Sequence, residues 1–242
     1  VEWDRLQYAK DLETLAQKVQ TYDSDKIFQN LESTLYVVAG KVKHHSGNLI
    51  CVCAENIEIV LKKAMSGSIP PKLNTLTITF DSCVEFDISV DISVNDRIQD
   101  SFDFQIELKG IDEDGEHFNS WHLDKDIRKP GANPPKVSHP LYHFQSGGNR
   151  LEGRAISGAV FLGAPRLPHP PMDVILGLHF ILKNFCSMKD YVFLNKLFND
   201  FDYEEIIFRA KERMFTPYFR AYESGNSHQD FTFENVFPLA VS

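Results

Sequence analysis

The sequence is short of several things, and each shortage removes a class of protein. Four cysteines in 242 residues are too few for a disulfide scaffold, and their spacing matches no zinc motif. Cys51 and Cys53 form a C-x-C, whereas Cys83 and Cys186 stand among apolar neighbours. All four are expected to be reduced thiols in a cytoplasmic protein. No apolar run reaches the length of about eighteen residues that a membrane span needs. Basic residues are also scarce. Lys+Arg 25 against Asp+Glu 34 gives a net charge of −9, which argues against a chain-wide phosphate-binding surface and leaves no strong nucleic-acid signal. The chain begins at Val1 with no visible signal peptide, which reads as a trimmed start. No G-x-S-x-G, Gly-rich phosphate loop, G-x-G-x-x-G or H-E-x-x-H occurs. No repeat or low-complexity linker divides the chain, so residues 1–242 read as one domain.

What the sequence does have is periodicity. Leu6, Leu12, Leu15 and Val19 follow Trp3 at helical spacing. A second helix through Ile27, Phe28, Leu31 and Leu35 is expected, capped by Asp23 or Ser24 and stopped or turned at Gly40. The run from Leu49 to Met65 mixes β-branched residues with a helix former and is ambiguous. Residues 75–123 are far clearer. Leu76, Ile78 and Phe80 alternate with threonines; Val84, Phe86, Ile88, Val90, Ile92 and Val94 alternate with Glu85, Asp87, Ser89, Asp91 and Ser93; and Phe102, Phe104, Ile106 and Leu108 alternate with Asp103, Gln105, Glu107 and Lys109. Strict alternation puts the apolar members on one face and the polar members on the other. Asn95-Asp96 and Asp112 to Gly115 supply turns. This is an antiparallel meander with one solvated face.

Residues 129–171 hold eight of the twelve prolines. Strands are expected through Leu141 to Gln145 and through Ala159 to Gly163. Pro170-Pro171 then opens a helix through Val174, Ile175, Leu178, Ile181, Leu182 and Phe185, which is apolar nearly all round and so should be buried. Further helices are expected from Tyr191 to Phe198 and from Tyr203 to Tyr222, the latter kinked or ended by Pro217. The tail from 223 to 242 carries Phe231, Phe233, Val236 and Phe237 and is suited to docking on the body or on a partner. The fold class is therefore α+β: an antiparallel meander at about 49–164, packed against N-terminal helices (1–40) and C-terminal helices (170–222).

Three groups of residues are candidates for a site. His122, His139, His143, Gln145, Arg150, Arg166, His169 and Asp173 sit in or beside the proline-rich segment, where stiff backbone could hold a preorganised binding site. Arg150, Arg166 and the start of the helix near Met172 would suit an anion. His139, His143 and His169, with His122 and Asp124 or Asp173 nearby, would supply nitrogen and oxygen ligands for a divalent metal such as Zn, Mn or Fe. The third group is the acidic sheet face of Asp87, Asp91, Asp103, Glu107 and Lys109, in which Glu107-Leu108-Lys109 is similar to the (D/E)-x-K element of restriction-type nucleases. Alternation alone also yields E-x-K on any solvated strand.

The stretch from Phe118-Asn119-Ser120-Trp121-His122, through His139-Pro140-Leu141-Tyr142-His143-Phe144-Gln145 with Gly147-Gly148, to Pro165 through Asp173 resembles segments of uncharacterised bacterial proteins. The order of helix, meander, His-Pro turn and trailing helices is also similar to that of ubiquitin-conjugating enzymes, whose acceptor cysteine follows a His-Pro-Asn motif. Here Leu141 stands in the Asn place and no cysteine lies between Cys83 and Cys186, so that resemblance implies a non-catalytic variant used for binding. The leading expectation is a non-enzymatic interaction or accessory subunit of a bacterial cytoplasmic multi-protein system, with a protein partner and no cofactor. The alternatives are a metal-dependent hydrolase or nuclease and an anion or nucleotide sensor.

Overall fold

The computed structural model describes residues 4–63, 73–90, 97–126, 140–154 and 166–224. The expected strand at Ala159–Gly163, the Asn95-Asp96 turn, Asp91, His139 and the tail beyond 224 lie outside these residues. Helix α1 (Arg5–Tyr22) starts at Asp4, whose carboxylate accepts from the N–H groups of Leu6 and Gln7 at 2.8 and 3.1 Å. Helix α2 (Leu31–His44) begins later than expected and runs through Gly40 to His44. Asp23 does not cap it. Its two carboxylate oxygens accept from Ile27 N–H and Phe28 N–H instead, each at 3.1 Å, and so fold the connection between the helices.

Six strands follow in sequence order, β1-β2-β3-β4-β5-β6, and every neighbouring pair is antiparallel. They are β1 (Leu49–Leu61), β2 (Thr75–Asp87), β3 (Ile98–Ile111), β4 (Glu116–Lys125), β5 (Tyr142–Ser146) and β6 (Leu167–Pro168). The ambiguous stretch is thus the first strand, interrupted by a bulge between Ala54 and Ile57 where Asn56 takes φ 55°. The expected alternation of β2 stops at Asp87, beyond which residues 88–90 turn.

Helices α3 (Val174–Phe185), α4 (Phe193–Phe198) and α5 (Phe201–Ser224) follow, and Pro217 lies inside α5 without ending it. The helices cover the apolar face of the sheet, and the buried apolar side chains other than Leu151 form one continuous core. Gly177 allows α3 its close approach. A Cβ there would lie 2.3 Å from the Phe80 ring and 2.7 Å from the Phe104 ring. The two rings pack edge to face, with centroids 5.1 Å apart. An ion cluster joins the first and last described helices: Asp11 of α1, 1% exposed, accepts from Arg209 and Arg213 of α5, both at 2.8 Å.

The cysteine expectation needs correction. Cys53 and Cys83 are directly opposed on β1 and β2 and form a disulfide. Only Cys51, exposed, and Cys186, buried, carry free thiols. Cross-strand register brought together two residues whose separation in sequence gave no hint of pairing. Among the described residues, no helix is long and apolar enough to cross a membrane.

Candidate functional site

The sheet face turned away from the helices carries the polar members of each strand. Register lines them up across the strands: Asp81 of β2 opposes Gln105 of β3, Gln105 opposes His122 of β4, and His122 opposes Gln145 of β5. Asp124 opposes His143, while Asp103 stands opposite Cys83. The segment after β5 folds back over this row. Gly147 N–H donates to Ser120 O at 2.7 Å, Arg150 pairs with Asp81, and Arg154 pairs with Glu107 at 3.1 Å. Asp81 also accepts from Asn56 N–H at the β1 bulge, so one carboxylate anchors both the bulge and the strap.

Gly148 makes the close contact possible. It takes φ 95°, which side-chain-bearing residues rarely adopt, and a Cβ there would fall 2.8 Å from His122 Nδ1. Between strap and sheet lies a cavity of about 320 Å³ lined by Asp103, Gln105, His122, Asp124, Gly148, Asn149 and Arg150. A larger groove of about 460 Å³ runs between the end of α1 and the segment leading into α2. Two of its polar side chains hold that turn. Asp23 is bonded as described above, and Asn30 donates to Asn56 O and accepts from Glu58 N–H.

Electrostatics in the smaller cavity centre on Asp124. His122 Nε2 lies 3.2 Å from Asp124 Oδ2, and His143 Nε2 lies 3.7 Å from the same oxygen. On their other sides, His122 Nδ1 donates to Gly147 O at 3.2 Å and His143 Nδ1 to Pro140 O at 3.0 Å. The bond to Asp124 raises the His122 pKa above its ordinary value, against the lowering effect of burial. An imidazole with a carbonyl on one nitrogen and a carboxylate on the other is favoured in its protonated form. Ser120, the nearby hydroxyl, is fully buried.

Of the residues singled out from sequence, His122, His143, Gln145 and Arg150 meet here. Three do not behave as expected. His169 lies on the opposite face, where its ring packs on Phe144 and Phe180 at 5.7 and 6.5 Å. Burial lowers its pKa, as suits a neutral core histidine. Asp173 caps α3 by accepting from Leu176 N–H at 2.9 Å. It is buried against Tyr8 and near Arg213, and desolvation raises its pKa, so the helix start offers no open anion site. Arg166 is half-buried, and its charge is felt at His122.

The expected metal triad does not assemble, because His143 and His169 project from opposite faces of the sheet. Among the described residues, no three His, Cys, Asp or Glu side chains are arranged to hold a metal ion. The nuclease-like pattern is likewise dispersed: Glu107 pairs with Arg154, Lys109 with Glu116, and Asp87 accepts from Ser89. Sequence reading did not single out Asp81 or Asn149, nor Gln105 beyond its place in the alternation. Only cross-strand register and the strap bring them to the cavity.

No protein-family model, curated protein or solved structure matches this chain.

Proposed function

We propose that this chain is a non-enzymatic interaction or accessory subunit of a bacterial multi-protein system, and that it recognises its partner at the cavity on the outer sheet face. The observation that carries this reading is that the cavity's cationic side chains are already paired. Arg150 is neutralised by Asp81, and His122 Nε2 is engaged by Asp124 at 3.2 Å. Such a site offers hydrogen bonds of fixed direction, and its lining carries no hydroxyl or thiol nucleophile. Exposed Asp103 and partly exposed Asp124 give its mouth an acidic rim, which suits a lysine or arginine side chain of the partner. A cytoplasmic setting belongs to the same proposal, although the Cys53–Cys83 bond is unusual for a reducing compartment.

A photo-crosslinking residue in place of Asn149, introduced in the native host, tests the reading. One discrete protein adduct is expected, lost when Asp103→Lys is added and absent when the probe replaces Glu32 on the helical side. The same adducts from all three variants would refute it. Stoichiometric metal in the purified chain, lost in His122→Ala, would transfer support to the hydrolase alternative.

A second reading, an anion or nucleotide sensor, draws on one observation. Arg166 Nε and Nη1 are shielded from solvent without a hydrogen-bond partner among the described residues, a costly state for a cation that an anion would relieve. Calorimetric titration with phosphate and with a nucleoside diphosphate tests it, the expected result being saturable binding abolished in Arg166→Gln.

A further inference from the structure

The C-x-C of β1 and the cysteine opposite it form a cluster that the cavity does not use. Buried Ile50, Val52 and Ala54 alternate with Cys51 and Cys53 along β1, and Cys83 precedes buried Val84 on β2. All three sulfurs therefore sit on the outer face of the sheet. The Cys53–Cys83 bond crosses between the strands, and the exposed Cys51 thiol places its Sγ 3.4 Å from Cys53 Sγ. That contact falls within the separation of about 3–3.5 Å from which a new bond can form. A disulfide that only braces two strands needs no such neighbour.

The spacing also allows the product of such a bond. Residues two apart on a strand have Cα atoms about 6.6 Å apart, inside the range of about 4.4–6.8 Å that a disulfide bridges. The exposed Cys51 side chain is free to turn about its Cα–Cβ bond towards the Cys53–Cys83 axis. Charge sets the pace. Cys51 faces Glu85 across the register, with Glu55 further along β1 and Lys41 on α2. Partial burial first, then Glu85 and Glu55, raise the thiol's pKa above its ordinary value, against the lowering effect of Lys41. The attacking thiolate is therefore scarce at neutral pH, and exchange is slow there.

We propose that Cys51, Cys53 and Cys83 form a thiol–disulfide exchange site, in which the disulfide moves between a cross-strand and a local position. The Cys51 thiol loses its proton to solvent, and its thiolate attacks Cys53 Sγ. The Cys51–Cys53 bond forms as the Cys53–Cys83 bond breaks, and the electron pair leaves on Cys83 Sγ, which takes up a proton from solvent. One disulfide and one thiol are present before and after, so no oxidant or reductant is consumed. The cross-strand bond joins residues 30 apart and the local bond residues 2 apart, so exchange releases β1 from its covalent tie to β2. It also moves the free thiol from exposed Cys51 to Cys83, which stands opposite Asp103 on the rim of the cavity. The step is internal to the chain and does not depend on what the cavity binds.

Disulfide mapping of the full chain tests the proposal. Protein isolated without reductant is incubated at about pH 8.5, quenched in acid, labelled with a maleimide and digested for mass spectrometry. Label is expected to appear on Cys83 in molecules whose Cys51 and Cys53 are joined, at a rate that rises about tenfold per pH unit below the thiol's pKa. Cys51→Ala removes the attacking sulfur from an exposed position and should keep the Cys53–Cys83 bond, with no label on Cys83. In Cys83→Ser, glutathione disulfide should close the Cys51–Cys53 bond, detected as the loss of a pair of hydrogens with no glutathione retained. Within the cluster, label confined to Cys51 in the wild type overturns the proposal, whatever Cys83→Ser does. So does equal labelling of Cys83 in Cys51→Ala, a rate that ignores pH, or a Cys83→Ser chain that stops at the glutathione adduct.

Discussion

Acid should destabilise this protein through His179. The ring sits on α3 under α5, with Nδ1 accepting from the Tyr203 hydroxyl at 2.9 Å. Burial is the first cause that lowers its pKa, and repulsion from Lys183 and Lys211 adds to it, bringing the value from 6.5 to about 4. The unfolded chain therefore binds the proton more readily than the folded one. The stability that this neutral ring contributes is complete above pH 6.5 and is lost as the pH falls through about 4. At 1.36 kcal/mol per tenfold change in proton affinity, the loss amounts to about 3 kcal/mol. This is a ceiling, because the ring is only half-buried and solvent screens part of the effect.

His179→Asn is the informative substitution, since Asn Oδ1 can take the place of Nδ1 as acceptor and does not titrate. Urea unfolding at intervals between pH 7.5 and 3.5 would give both stability profiles. The wild type should lose more stability than the variant over that interval, by between about 1 and 3 kcal/mol. Other titrating groups cancel in the difference. Parallel profiles, or an NMR titration of His179 with a midpoint near 6.5, would refute the reasoning.

Asp11→Ala should lower stability by about 3–5 kcal/mol in denaturant melts, because it strands the guanidinium groups of Arg209 and Arg213 in a shielded site. Gly177→Ala should cost about 1–3 kcal/mol, since the new methyl group would fall 2.3 Å from the Phe80 ring. Replacing both Cys53 and Cys83 by serine reopens a loop of 30 residues and should lower stability by about 3 kcal/mol, with reductant moving the wild type but not the variant. Gly148→Val should abolish the photo-crosslink from position 149 by forcing the strap off His122 while leaving the helical core intact, as far-ultraviolet circular dichroism would register.

Wherever side-chain periodicity is the physical cause of structure, it could be read directly. Alternation through Phe80, Phe104 and Ile106 assigned both faces of the meander, and the all-round apolar character of the Val174–Phe185 segment marked a buried helix. The start of α2 was misread because Asp23, a good helix cap by type, spends its carboxylate on the turn before the helix. The first strand was obscured by the helix formers that follow its last residue, Leu61, which itself pairs with Leu76 of β2. The site was harder to see for a different reason. The partners Asp81 and Arg150 are 69 residues apart, and no local pattern encodes a contact made through register. His143 and His169 shared a proline-rich neighbourhood in sequence, but the pairing of His143 with Pro168 puts the following histidine on the far side of the sheet.

The Asp11 cluster has a kinetic consequence. The meander joins strands that are neighbours in sequence, so its hairpins can close one after another as the chain leaves the ribosome. Helix α1 cannot settle in the same way. Its buried carboxylate finds its cations only on α5, nearly 200 residues later, as the separation of 198 residues between Asp11 and Arg209 records. Until synthesis passes that point, α1 carries an apolar face with an unmatched charge inside it. Helix α1 is therefore among the last of the described elements to lock, and its apolar face stays open to aggregation and chaperone capture while the sheet is being made.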